Sequence, residues 1–296
     1  MPTITGTPGP DTLEGSFSGD VIQGLGGDDV ILPHAGDDQI DGGDGFDIVD
    51  YSPVPTNITV NLSLTGWQSI TFDKMDALTG IEGVRGGAFS DQLDGGPGAS
   101  AIYGGGGNDT IQATAGDGNY LRGDAGDDSV VGAAGFDDIN GNMGDDTLHG
   151  GVGDDWVVGG KDNDVQFGEA GNDVVWGNLG NDTLDGGDGN DQVRGGQGDD
   201  TLTGGAGDDF VSGDRGNDTE SGGAGADLFH TSQDAGIDRV LDFNLAEGDR
   251  VMLDPGTTYT ASQVGADTVI DFGGGNEMIL VGVQYSTLTP GWIFGN

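Results

Sequence analysis

The chain has 296 residues, of which 64 are Gly and only 33% are hydrophobic. Lys and Arg number 8 against 52 Asp and Glu, which gives a formal net charge of −44. This charge excludes nucleic acid and disfavours anionic membrane surfaces as partners, because phosphate repels the chain. The apolar content is too small and too dispersed for a large globular core. Divalent cations would offset the self-repulsion, since carboxylate oxygens are preferred ligands of a hard ion such as calcium.

The N-terminal residues MPTITGTPGP contain neither a basic segment nor an apolar one, so we expect no cleaved signal peptide. No apolar run approaches the length of a membrane span. Cysteine is absent, and the sequence therefore predicts no disulfide framework.

A nine-residue repeat, G-G-x-G-x-D-x-U-x with U apolar, occurs 21 times. Five units run from Gly6 to Asp50, and 16 more run from Gly86 to His230, with one extra residue within 113–122. Gly suits the tight turn at the start of each unit. The three residues after Asp form a short strand with U facing inward. Two units then make one coil, so residues 18 apart stack and residues nine apart lie on opposite edges.

This repeat resembles the RTX family, the haemolysin-type calcium-binding repeats of secreted bacterial proteins. The resemblance implies an all-β, right-handed parallel β-roll with a C-terminal β cap. It also implies that calcium binds in the turns between coils, held by stacked Asp carboxylates and backbone carbonyls. On the interleaved arrangement we expect about 10 to 15 ions.

Carried onto this sequence, the resemblance predicts 19 calcium-ligating Asp residues. They are Asp11, Asp20, Asp29, Asp38 and Asp47 in the first run, and Asp91, Asp109, Asp128, Asp137, Asp146, Asp155, Asp164, Asp173, Asp182, Asp191, Asp200, Asp209, Asp218 and Asp227 in the second. Ser100 takes one ligand place, and Gly118 or Asn119 takes the next on the same edge. We therefore expect the first coils of that edge to lack ions or bind them poorly.

Two U positions, Gln166 and Glu220, are polar. We interpret both as local polar tolerance near an edge. A buried unpaired Glu is costly, so Glu220 is expected to reach an ion, a partner or solvent.

Four segments follow from the pattern: repeats at 1–50, an insertion at 51–85, repeats at 86–230 and a C-terminal cap at 231–296. NITVNLSL and ALTGIEGVR in the insertion read as strands, which favours a continuous roll with a loop bulging near Trp67 to Met75 over a flexible linker. The last segment is predicted to form antiparallel strands that cover the final coil. In RTX proteins this segment also directs type I secretion.

No catalytic motif is evident. His34, His149 and His230 have no zinc-site spacing, and the G-x-G strings belong to the repeat. An enzyme acting on glycan or peptide would have to use the cap or the insertion, with Asp73, Lys74, Asp76 and Glu82. This alternative stays open.

Aromatic residues concentrate on one outward face, with Trp156 and Trp176 on neighbouring coils and Phe210 nearby. We hypothesise a docking site for a glycan, a cell-surface component or a second copy of the chain. The alternative is that the cap or insertion covers this face. A Thr-rich column on the other face gives a minor alternative, ice binding, although Thr also simply suits strands.

The sequence thus predicts a non-enzymatic, extracellular calcium-binding protein, exported by a type I system and folded by calcium outside the cell.

Overall fold

The computed structural model describes residues 1–116, 118–233 and 235–295, and these residues contain no α-helix. Their regular structure is β apart from one 3₁₀ turn, Tyr285–Thr287. The chain forms two compact units, Met1–Thr147 and Leu148–Asn296. The predicted all-β fold of stacked parallel strands is confirmed.

The first unit contains sixteen strands. They are β1 (Thr3–Thr5), β2 (Thr12–Glu14), β3 (Val21–Gly26), β4 (Val30–Leu32), β5 (Gln39–Asp44), β6 (Ile48–Asp50), β7 (Thr59–Asn61), β8 (Gly66–Thr71), β9 (Lys74–Thr79), β10 (Gly83–Arg85), β11 (Gln92–Asp94), β12 (Ala101–Gly106), β13 (Thr110–Gln112), β14 (Asn119–Ala125), β15 (Ser129–Val131) and β16 (Asp137–Met143).

These strands form three stacks, ordered β2-β4-β6-β10-β12-β14-β16, β1-β3-β5-β9-β8 and β7-β11-β13-β15. Neighbours pair in parallel at an offset of 18 residues within the repeats, as where Ile22 faces Ile40. Residues 51–85 supply four strands. Three of them, β7, β9 and β10, pair in parallel with repeat strands. Strand β8 instead forms an antiparallel hairpin with β9.

The remaining strands are β17 (Thr147–Val152), β18 (Trp156–Lys161), β19 (Val165–Ala170), β20 (Val174–Leu179), β21 (Thr183–Asp188), β22 (Gln192–Gln197), β23 (Thr201–Ala206), β24 (Phe210–Arg215), β25 (Thr219–Ala224), β26 (Leu228–Thr231), β27 (Ile237–Val240), β28 (Arg250–Leu253), β29 (Thr260–Val264), β30 (Asp267–Gly273), β31 (Asn276–Leu280) and β32 (Ile293–Gly295).

In the second unit these strands stack as β18-β20-β22-β24-β26-β28-β32 and as β19-β21-β23-β25-β27-β31-β30-β29. The apolar U residues form the buried interior between such sheets. Val175, Val193 and Val211 are each 0% exposed. At the C-terminal end Phe229, Phe243 and Trp292 join the same core, which covers apolar side chains that a last coil would otherwise expose.

The prediction of antiparallel strands throughout 231–296 is wrong in part. Strands β29 and β30 are antiparallel, as are β30 and β31. Strands β27 and β28, however, pair in parallel with the last repeat strands. The physical reason is that Asp238 and Asp249 accept hydrogen bonds from the backbone of the last repeat turns. Coils therefore persist after the nine-residue period ends.

Candidate metal centres

The Asp that closes each turn joins its coil to the coil before it. One carboxylate oxygen, Oδ1, accepts a hydrogen bond from the backbone N–H of the Asp one coil earlier in its column. The distance is 2.8 Å from Asp182 N to Asp200 Oδ1 and 2.8 Å from Asp191 N to Asp209 Oδ1. The same bond joins Asp11 to Asp29, Asp20 to Asp38, Asp29 to Asp47, Asp91 to Asp109, Asp109 to Asp128, Asp155 to Asp173, Asp164 to Asp182, Asp173 to Asp191, Asp200 to Asp218 and Asp209 to Asp227.

In most turns the second oxygen, Oδ2, is buried and has no hydrogen-bond partner within the protein. This holds for Asp29, Asp47, Asp109, Asp128, Asp173, Asp182, Asp191, Asp200, Asp209, Asp218 and Asp227. A buried carboxylate oxygen without a partner is costly unless an ion or proton compensates it. These oxygens are therefore candidate ligands for a cation.

Other turns satisfy Oδ2 internally, and we call them closed turns. The backbone N–H of the second residue of the repeat donates to Oδ2, from Thr7 to Asp11, from Ser16 to Asp20, from Gly87 to Asp91 and from Ala133 to Asp137. Ser100 Oγ accepts the equivalent bond from Gly96 at 3.1 Å. In these turns Oδ2 already has a donor, and in Asp91 and Asp137 Oδ1 has one as well.

The backbone at the second position separates the two kinds of turn. In the turns with an unpartnered Oδ2 this residue has positive φ, and we call turns with this backbone open turns. Even side chains that disfavour this region adopt it, including Leu25 (φ 79°) and Glu169 (φ 75°). None of the second residues of the closed turns has positive φ. The turns of Asp146, Asp155 and Asp164 are also open by this criterion, with positive φ at Asn142, Gly151 and Gly160.

The first Gly of a repeat lies against oxygen atoms of its own turn and of the next coil, in open turns and in closed ones such as that of Gly86. A methyl group on Gly104 would clash with Asp109 Oδ2 and would lie 2.6 Å from the carbonyl oxygen of Gly123, in the next coil. A carboxylate and a carbonyl from adjacent turns are the hard ligands that calcium prefers. Among the described residues no three His, Asp or Glu side chains are arranged to hold a metal ion. Backbone carbonyls would therefore have to complete the ligand set.

Burial also makes these carboxylates hard to ionise in the absence of a cation. It raises the pKa of Asp109 from 3.8 to about 8 and that of Asp200 to about 7, and neighbouring Asp carboxylates add to both shifts. A bound divalent cation would reverse the balance, because it stabilises the charged form. The donor set, its burial and its charge all fit calcium.

A family profile described as the RTX calcium-binding nonapeptide repeat matches residues 5–49 and 85–220 through nine overlapping segments. The chain belongs to this RTX repeat family. A solved structure similar to it is that of the extracellular lipase LipA from Serratia marcescens, at 18% identity and a TM-score of 0.26. That match covers 99% of this chain but only 40% of the lipase chain. No curated protein matches the sequence. No helix among the described residues is long and apolar enough to cross a membrane.

Four carboxylates outside the RTX repeats also join the columns, a position not predicted for them from the sequence. Asp76 and Glu82 accept the backbone N–H of Asp38 and Asp47, both at 2.9 Å. Asp238 and Asp249 accept those of Asp218 and Asp227, at 3.3 and 3.0 Å. A signal was present, because DALT, EGVR, DRVL and DRVM keep the acid-x-U-x half of the repeat. Only the two glycines that open the repeat are missing in front of it.

Ser100 and Asn119 both lie in a column of stacked turn residues, as their positions in the repeat imply. Ser100 N donates to Asn119 Oδ1 at 2.9 Å, and Asn119 Nδ2 donates to Asp137 Oδ1 at 2.6 Å. Amide and hydroxyl groups thus replace carboxylates at the start of this edge. Asp137, which the resemblance offered as a ligand, lies in a closed turn.

The two polar U residues point inward and are each 0% exposed. Glu220 Oε1 accepts the N–H of Gly213 at 2.7 Å, while its Oε2 is buried without a partner. Both polar atoms of the Gln166 amide are likewise buried without a partner. Polar tolerance near an edge does not describe either residue, because both lie in the interior.

The insertion residues do not gather into an exposed acid pair. Asp76 is 0% exposed and accepts a hydrogen bond from Tyr51 Oη at 2.8 Å. Lys74 is also buried, whereas Asp73 is exposed. Glu82 is half-buried and bonded to Asp47 N. Asp73 and Lys74 line a cavity of about 700 Å³ together with His34 and Pro53. Asp76 and Glu82 do not line it and instead accept hydrogen bonds of the turns.

The outward aromatic residues lie on three strands of one sheet. The Trp156 and Trp176 rings meet edge to face, 5.6 Å between centroids, and Trp156 is 42% exposed. Phe210 stacks on His230 and lies under the Arg194 guanidinium at 5.0 Å. The tryptophan pair is thus in contact, and Trp156 remains accessible.

Proposed function

We propose that this chain is an extracellular, non-enzymatic protein whose RTX repeats bind calcium and fold as they do so. The observation that carries the proposal is the buried, unpartnered Oδ2 repeated in eleven of the open turns. A calcium ion would compensate these oxygens and cancel charge, so its binding free energy would become folding free energy.

The open turns are the proposed calcium sites, and the closed turns are not. Among the described residues, fourteen turns that end in a repeat Asp have the open backbone and no competing lysine. They end in Asp29, Asp47, Asp109, Asp128, Asp146, Asp155, Asp164, Asp173, Asp182, Asp191, Asp200, Asp209, Asp218 and Asp227. Asp11, Asp20, Asp91 and Asp137 would contribute little, because turn N–H groups already occupy their Oδ2.

The proposed route to the outside is type I secretion, which RTX repeats characterise. At low calcium the −44 charge would keep the chain extended and suited to passage through an exporter. High extracellular calcium would then drive coil-by-coil stacking.

Circular dichroism of the full chain tests the calcium-driven folding. EDTA-treated protein should gain β-structure on titration with calcium but not with magnesium at the same concentrations. Equilibrium dialysis should count about 10 to 14 ions per chain. A β spectrum at neutral pH that is complete in EDTA and unchanged by calcium would overturn the proposal.

We further propose that the Trp156–Trp176 pair docks a glycan or another component of the cell surface. An accessible, edge-to-face aromatic pair on a sheet is suited to stacking against a sugar ring or an apolar side chain. Replacing both with Ala should abolish binding in a glycan or cell-surface assay run in calcium. The matched control is Phe89→Ala, since Phe89 is 44% exposed in the other unit. Equal binding by both variants would argue against the face.

A further inference from the structure

One open turn of the first unit differs from the other open turns, because a side chain already occupies its Oδ2. It ends in Asp38, which follows Asp20 and precedes Asp76 in the same column. Asp20 N donates to Asp38 Oδ1 at 2.8 Å, and Asp38 N donates to Asp76 Oδ1 at 2.9 Å. Asp38 and Asp76 are therefore neighbours in the column, although 38 residues separate them in the sequence.

The turn has the open backbone, with φ 60° at His34 in its second position. Asp38 Oδ2 is nevertheless partnered, because the Lys74 ammonium lies 2.7 Å from it. The same Nζ lies 3.0 Å from Asp76 Oδ1 and 2.9 Å from the carbonyl oxygen of Gly36. All three ammonium protons thus have an oxygen acceptor.

The surroundings of the ammonium are buried and specific. Lys74 is 6% exposed, and both carboxylates are 0% exposed. Tyr51 Oη donates to Asp76 Oδ2 at 2.8 Å, and its ring centroid lies 5.9 Å from Nζ. A buried charge is tolerated only when it is paired and fully hydrogen-bonded, and these contacts meet that condition.

The ligand set of Nζ comprises two carboxylates from successive coils and one carbonyl of the turn. The open turns offer the same classes of ligand to a cation. We propose that the Lys74 ammonium is the resident cation of the Asp38 turn and takes the place that calcium takes in the other open turns. This inference rests on the proposed calcium role of those turns.

A covalently attached cation cannot dissociate in EDTA. Lys74 begins β9, which pairs in parallel with β5, so forming that pairing brings the ammonium to Asp38. The strand pair β5–β9 should therefore stay ordered without calcium, while coils held by open turns alone loosen. The first unit would then contain a calcium-independent starting point for stacking.

The experiment compares Lys74→Gln with Lys161→Gln in the full chain. Lys161 is the other lysine of the sequence and is exposed, which makes it a matched control. Hydrogen exchange is followed by mass spectrometry on peptides covering Gln39–Asp44 and Lys74–Thr79, in EDTA and in saturating calcium.

In EDTA we expect the wild type and Lys161→Gln to protect these peptides more than peptides covering β21 and β23. Lys74→Gln should lose that protection on the order of a hundredfold, because it leaves two buried carboxylates unpaired. Calcium should restore it, and equilibrium dialysis should count one ion more per chain than for the wild type.

Three results would overturn the inference: equal protection in both variants, a loss in Lys74→Gln that calcium does not restore, or wild-type peptides that exchange in EDTA as fast as those of β21 and β23. A wild type that binds no calcium would instead overturn the proposed function. The two failures are therefore distinguishable.

Discussion

Replacing Asp200 with Asn should have opposite effects with and without calcium. Asp200 lies in an open turn, is 2% exposed and has an unpartnered Oδ2. Asn keeps the size of the side chain and the acceptor for Asp182 N, whose bond is 2.8 Å. It removes the charge and one hard oxygen ligand.

The two effects can be estimated separately. In calcium at about a hundred times its dissociation constant, losing one ion costs about 3 kcal/mol of the free energy of unfolding. In EDTA the change in the free energy of unfolding has the opposite sign, because burial and the neighbouring Asp218 and Asp182 raise the pKa of Asp200 to about 7. Removing that charge at pH 8 should stabilise the calcium-free fold by about 1 to 4 kcal/mol, the lower figure allowing for solvent screening.

Urea denaturation in EDTA and in calcium measures both signs, and equilibrium dialysis shows whether an ion is lost. Asp91→Asn is the control, because Asp91 Oδ2 already accepts Gly87 N–H at 2.8 Å. That variant should change the free energy of unfolding by the same amount in EDTA and in calcium, because no ion depends on this Oδ2, and it should keep the ion count. If Asp200→Asn destabilised the protein equally in EDTA and calcium, its carboxylate would not be an ion ligand and the reasoning would fail.

Three further results are expected. Acid should partly replace calcium. In the folded chain the pKa values of Asp182, Asp200 and Asp109 are about 6 to 8, above the unfolded value of 3.8. Their contribution to the free energy of unfolding is therefore present below pH 4 and is lost as the pH rises through 6 to 8. Circular dichroism in EDTA should therefore show β-structure growing from pH 8 to 5, and a flat profile would contradict this. Gly195→Ala should weaken calcium binding, since its methyl group would clash with Asp200 Oδ2. The control is Gly98→Ala, whose methyl group meets nothing within 4 Å. Equal calcium affinities of the two variants by calorimetry would contradict a calcium site beside Gly195. Glu220→Leu should raise the calcium-free free energy of unfolding by about 1 to 3 kcal/mol, because it removes a buried carboxyl whose Oε2 has no partner. A decrease would show that the Gly213 N–H depends on Glu220 Oε1.

Much of the coil could be predicted from the period alone. Eighteen residues per coil, inward U residues such as Val193 and columns of Asp all follow from a glycine turn joined to a three-residue strand. The acid-x-U-x halves around Asp76 and Asp238 carried the same information. They are hard to recognise because the two glycines that open the repeat are missing in front of them.

The sequence also determined part of the closed class. Three closed turns have Thr7, Ser16 and Ala133 at the second position, where most repeats have Gly, Asn or Asp. Side chains other than Asn and Asp disfavour the positive φ that an open turn requires. A closed turn at these three places is therefore consistent with composition. Composition alone is not decisive, because Leu25 and Glu169 adopt positive φ in open turns.

Tertiary structure decided whether the remaining turns are open or closed. Gly86 and Gly87 fit the consensus, yet their turn is closed. The reason lies in what each turn stacks against. Gly87 stacks against the backbone of the insertion, where the carbonyl oxygen of Val54 lies 3.4 Å from the position of a Cβ on Gly87. Gly105, in the open turn one coil later, stacks instead against a repeat turn, because a methyl group on it would clash with the carbonyl oxygen of Gly87.

The sequence by itself therefore determined the repeat, the buried column and the candidate ligands, because these depend on residue type and period. Only the tertiary structure decided which carboxylates keep an unpartnered oxygen and which find a donor. Lys74 shows why: its three acceptors come from Gly36, Asp38 and Asp76, and the pairing of β5 with β9 brings them together. Contacts across tens of residues depend on that pairing, and no local pattern in the sequence specifies it.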